Sequence, residues 1–299
     1  MLKHLVTAFL VSVIFSSSAA MAAPLKVVVS IAPQRYLVKA IAGDLADVAI
    51  LIAPGQTPAT WDPPPQSMAL LSEADVLFPI GVPFEQVWLP RLQKIFPDLN
   101  VTEIRQGIER QPISAHHHHE HEQVAHHQEE MMDPHIWLDP LLAVTLAENI
   151  THELCKLAPQ NQQSFNNGLK QLRQQLLQTH VKIEQQLNDF HGDHFMVFHP
   201  SWGYFARRYH LEQLAIEIDG KEPSGIQLAE TAKLARDKQV HVIFVQQQFS
   251  RKAAQAIAEQ IGARIAILDP LAEDLPGTLL TTANEIARAL ETPWPQPSH

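Results

Sequence analysis

A chain of 299 residues is long enough for two domains of ordinary size. With 45% apolar and 18% charged residues it has the composition of a protein with a real core. The formal charge of −10 argues against a nucleic-acid partner and is compatible with a cationic ligand, and a single cysteine, Cys155, excludes an intrachain disulfide.

The first residues carry an address. Lys3 and His4 precede an apolar run over 5–15, followed by three serines and then Ala20, Met21 and Ala22. A charged start, an apolar stretch too short to span a bilayer and a small-x-small pattern predict a secretory signal peptide over 1–22. No cysteine lies near the cut, so the mature protein is expected in the periplasm and not as a lipoprotein. No later stretch has the apolar length of a membrane span.

Beyond the leader, an N-terminal α/β lobe is expected over 23–140. The β-branched run at 26–31 reads as a buried strand. Pro33 opens a helix that covers 36–41 and closes at Gly43. Residues 48–52 read as a strand, and the four prolines within 56–65 as a loop. A helix at 66–72, a strand at 76–80, a helix at 84–96 and a fourth strand at 100–104 follow. Such alternation implies parallel pairing with helices on both faces.

Residues 105–132 break the pattern. The His-rich loop, 113–130, holds His116, His117, His118, His119, His121, His126 and His127 and has almost nothing apolar to bury, so a mobile surface loop is expected. Directly after it comes DPHIWLDP, 133–140. Pro134 restricts Asp133 to extended backbone, so His135 leaves the loop in a defined direction. Imidazole suits zinc, copper or nickel far better than calcium or magnesium.

A helical segment is expected over 141–190. Within it, Phe165, Leu169, Leu172, Leu176, Ile183 and Leu187 recur at helical spacing across 160–188. That predicts a strut on the order of 40 Å long, packed along a domain or, alternatively, in a coiled coil. A C-terminal α/β lobe then fills 191–299. Strands are expected at 195–198, 214–218, 240–245 and 264–268, and helices at 204–209, 226–235 (capped by Ser224), 252–261 and 283–290. His199 and Asp269 each follow a strand, the position where open α/β sheets bind ligands. His4 belongs to the signal peptide, and His152, His180, His191, His194, His210 and His241 read as surface or satisfied positions.

In this order and spacing, PGQTPATWDP (54–63), DPHIWLDP (133–140), VFHPSWGYFARRY (197–209), GKEPS (220–224), VQQQFS (245–250) and LDPL (268–271) resemble the zinc/manganese solute-binding proteins that deliver metal to bacterial ABC importers. The resemblance runs from about residue 25 to 290. It implies two α/β lobes joined by one long backbone helix, with a divalent ion held between them, and an importer permease as partner to a monomer. Three of the family's four ligands fall on His135, His199 and Asp269. Histidine at the second of these goes with zinc, where a carboxylate goes with manganese. The first ligand should be a histidine, and this sequence has Ala59 there. Water, Asp62 or Glu222, or a histidine of 116–127 is left to fill the gap.

Two other functions fit the same residues. Three protein ligands plus water is also the arrangement of a zinc hydrolase, although no H-E-x-x-H helix occurs and no general base stands out. The histidine run by itself would also suit a metal buffer or chaperone.

Overall fold

The computed structural model describes residues 23–113, 132–218, 221–246, 248–249 and 251–291. The expected signal peptide and the histidines of 116–127 lie outside them. In the first lobe, β1 (Leu25–Val29), α1 (Ala32–Ala42), β2 (Ala46–Ile50), α2 (Pro65–Ser72), β3 (Val76–Phe78) and α3 (Pro83–Ile95) alternate as the pattern predicts. Gly43 ends α1 with φ 52°, a left-handed turn that glycine adopts without a Cβ penalty. The strands form a parallel sheet in the order β2-β1-β3. Val27, Val28, Val29, Val76, Leu77 and Phe78 are all buried, because crossover helices cover both faces of a parallel sheet.

The fourth strand expected at 100–104 does not form. Among the described residues it pairs with the sheet through one parallel bridge, Leu77 to Val101. Past that bridge the Glu103 carboxylate accepts from the Arg105 backbone N–H at 2.9 Å and from its Nε at 2.7 Å. This local bonding turns the chain off the ladder.

The helical segment is two helices, α4 (Pro140–Leu157) and α5 (Gln162–Leu187), parted at Ala158 and Pro159. With 26 residues α5 is about 39 Å long, and it packs on α4, on α1 of the first lobe and on the last helix of the second. Its buried stripe runs through Phe165, Leu172, Leu176, Ile183 and Leu187. At Gly168 the backbones of α5 and α1 touch: a Cβ there would sit 2.2 Å from the Ile41 carbonyl oxygen. In an open helix, glycine to alanine gains about 1 kcal/mol. Here overpacking of about 1–3 kcal/mol outweighs it. Gly168→Ala is therefore expected to lower stability in urea unfolding, and an unchanged midpoint would mean that the helices separate freely.

The second lobe comprises β4 (His194–Val197), α6 (Gly203–Arg208), β5 (Glu212–Ala215), α7 (Gly225–Asp237), β6 (Val242–Val245), α8 (Lys252–Ile261), β7 (Arg264–Ile267) and α9 (Leu275–Glu291). Its sheet is parallel, in the order β5-β4-β6-β7. Ser224 caps α7 as expected, in a reciprocal box with Gln227. The last helix starts at Leu275, well before the predicted 283. Asp274 opens it, accepting from Gly277 N–H at 3.1 Å, and Pro276 sits in the first turn, where the missing N–H has no intrahelical partner to lose.

Candidate metal centre

The DPHIWLDP loop is built to hold one imidazole. The Asp133 carboxylate accepts from the His135 backbone N–H at 2.9 Å and faces its ring Nδ1 at 2.7 Å. Both residues are buried, Asp133 to 3% and His135 to 8% exposure. Asp139 closes the loop by capping α4 through Leu141 N–H at 2.8 Å.

Helix α6 of the second lobe grips this first-lobe loop. Arg208 donates to Asp139 at 2.8 Å, and the Tyr204 hydroxyl donates to the Asp133 carbonyl at 3.4 Å. Gly203 lets the loop approach, because a Cβ there would lie 2.9 Å from Asp133 Oδ2.

His199 leaves the end of β4 in the same manner. Its Nδ1 lies 2.6 Å from Glu217 Oε2, and Glu217 is 7% exposed. Gln246 fixes the backbone, donating to the His199 carbonyl at 2.9 Å. The ring stacks on Phe249, with centres 4.9 Å apart.

A carboxylate at neutral pH only accepts, so each Nδ1 carries the proton and each Nε2 keeps the lone pair a metal needs. The two ring centres are 5.3 Å apart. The ring planes are inclined at 72°, and at this separation two imidazoles are close enough to share one ion. The pair fits zinc.

Asp269 does not close with the pair into a metal-ligating group. Its Oδ1 accepts from Leu271 N–H at 3.0 Å and from Gln248 Nε2 at 3.4 Å. It borders a cavity of about 120 Å³ between the lobes, lined also by Ile31, Ile52, Ala53 and Gly55. Trp137 ties this wall to the His135 loop, donating from Nε1 to the Pro270 carbonyl at 2.8 Å. Among the described residues no three His, Cys, Asp or Glu side chains close into a metal-ligating group. Ala59 is exposed and brings no donor. Asp62 is exposed and accepts from Trp88 Nε1 at 3.0 Å, and Glu222 is exposed beyond the Ile218–Lys221 bridge. The histidines of 116–127 are outside the described residues. Of the motif tryptophans, Trp61 packs edge-on against Phe84, and Trp137 and Trp202 are buried.

Sequence reasoning missed the two carboxylates behind the imidazoles. Asp133 was in plain view two residues before its histidine. Glu217 is 18 residues from His199, and only pairing relates them. The β4–β5 register matches Val197 with Ala215, and carried two residues further it matches 199 with 217.

Burial holds the His135 imidazole below its ordinary 6.5, while Asp133 pulls the other way. The unfolded chain therefore binds a proton that the folded chain resists. His135 contributes stability that is present above about 6.5 and lost as pH falls below it. The metal-free protein is expected to lose melting temperature between pH 7.5 and 5.5, and His135→Gln to lose less. Equal losses in both proteins would contradict this sign.

Known proteins share this framework. The family described as zinc-uptake complex component A, periplasmic, matches residues 27–292. The high-affinity zinc uptake system protein ZnuA of Bacillus subtilis (strain 168) is 31% identical over 251 residues, 83% of this chain and 78% of that protein. The zinc-binding lipoprotein AdcA of Streptococcus pneumoniae (strain ATCC BAA-255 / R6) is 26% identical over 83% of this chain, which spans only 50% of AdcA. A crystal structure of ZnuA, 36% identical, superposes with a TM-score of 0.81 over 89% of this chain and 99% of that one. A zinc-bound deletion mutant of ZnuA gives 0.82 at 36% identity, over 90% and 99%. A match along nearly the whole chain, on the two-lobed α/β architecture described above, makes this protein a member of the family of periplasmic zinc-uptake components.

Proposed function

We propose that this protein binds zinc outside the cytoplasm and delivers it to the membrane permease of an ABC importer. The observation that carries the reading is the pair of imidazoles, one from each lobe, each held by a buried carboxylate and with ring centres 5.3 Å apart, close enough to share one ion.

In this reading His135 and His199 ligate through Nε2, and Asp269 supplies the acidic donor from the cavity wall. The remaining position falls to water or to a histidine of 116–127, since Asp62 is engaged by Trp88. That segment also gathers zinc loosely near the cleft. Residues 1–22 direct export and are removed, leaving a soluble periplasmic monomer with no lipid anchor and no nucleic-acid partner. Catalysis forms no part of the proposal: the carboxylates beside the imidazoles are both bound to Nδ1, so neither is poised as a general base.

The test is a zinc titration with elemental analysis on protein lacking 1–22. One tight ion per chain is expected, with weaker ions that disappear when 116–127 is deleted. Loss of the tight ion in that deletion would make a histidine of the segment the missing ligand. No tight ion in the intact protein, or metal-dependent hydrolysis of esters or phosphoesters, would overturn the reading.

A further inference from the structure

Away from the cleft, at the opposite end of the second sheet, lie histidines that the proposed function leaves unused. His191 precedes β4 and His210 precedes β5, and both are exposed. Their ring centres are 4.7 Å apart, with planes inclined at 59°. Two backbone bonds pin the turns that carry them. Gly192 N–H donates to the His210 carbonyl at 2.7 Å, and Glu212 N–H donates to the Asp193 carbonyl at 2.9 Å. His210 is held at φ 55°, a left-handed conformation that histidine tolerates better than most residues. His194, between them in sequence, faces Glu212 at 2.7 Å.

Ring packing alone spans about 4.5–7 Å, so separation by itself does not make a chelate. What distinguishes this pair is that both rings are open to solvent while the backbone fixes their spacing. We infer that His191 and His210 form a second metal site, a two-imidazole chelate for a borderline divalent cation such as Ni²⁺ or Cu²⁺, with water completing the shell. Ring centres 4.7 Å apart are close enough for two imidazoles to share one ion, and imidazole suits nickel and copper. The two sites are distinct: β4, about 13 Å of strand, separates His191 from His199.

Carbethoxylation of the zinc-loaded protein, read histidine by histidine by mass spectrometry with and without Ni²⁺, tests the site. Ni²⁺ is expected to slow modification of His191 and His210 together, several-fold, and to leave His152 on exposed α4 surface unchanged. In His210→Asn, which keeps the left-handed tolerance, His191 should lose its protection, and in His191→Gln so should His210. The inference is overturned if one histidine stays protected after the other is replaced. It is equally overturned if neither is slowed at a Ni²⁺ concentration that protects the histidines of 116–127.

Discussion

Replacing either cleft imidazole is expected to weaken zinc binding by about a hundredfold or more. Structural zinc sites with four protein ligands bind with about 10–16 kcal/mol, roughly 3 kcal/mol per ligand, and about 1.4 kcal/mol is a factor of ten. The arrangement here has few donors to spare. His135→Ala and His199→Ala should each fail to hold zinc against a chromophoric chelator that the wild type outcompetes. Either variant also leaves a buried carboxylate short of its partner, Asp133 in one case and Glu217 in the other, so some loss of stability accompanies the loss of affinity. Unfolding of the metal-free variants separates the two effects. Zinc affinity within a few-fold of wild type in both variants would remove the cleft pair from the site.

Glu217 provides the second large effect. Its carboxylate faces His199 Nδ1, and so sets which nitrogen of His199 is protonated and where the ring points. Glu217→Leu is expected to lower zinc affinity by about 10–100-fold, the usual cost of losing such a partner. Glu217→Gln keeps an acceptor for Nδ1–H and loses only the charge, so it should fall between Leu and wild type. Cobalt(II) bound in place of zinc reports the geometry, and its visible spectrum should shift in the Leu variant more than in the Gln variant. If Leu and wild type bind zinc equally, with the same cobalt spectrum, the carboxylate does not orient the ligand.

Much of the architecture was legible along the chain, for a local reason. A parallel strand covered on both faces must be apolar throughout, as 27–29, 76–78 and 242–245 are, and an amphipathic strut must repeat its apolar stripe, as α5 does. The places where the reading failed also had local causes. The expected strand at 100–104 was diverted by a Glu103–Arg105 pair that competes with the ladder, and α9 began early because Asp274 caps it just ahead of a proline that pattern alone treats as a break.

The sequence by itself determined the two α/β halves, the long helix α5 and the absence of a donor at Ala59. Tertiary structure decided which groups meet. Strand register set Glu217 behind His199, α6 closed on the His135 loop across the lobes, Asp269 was left at the cavity wall, and two sheet-entry turns brought His191 beside His210. The reason is physical: burial and capping depend on neighbours a few residues away, whereas these encounters depend on strand order and helix packing between segments far apart in the chain.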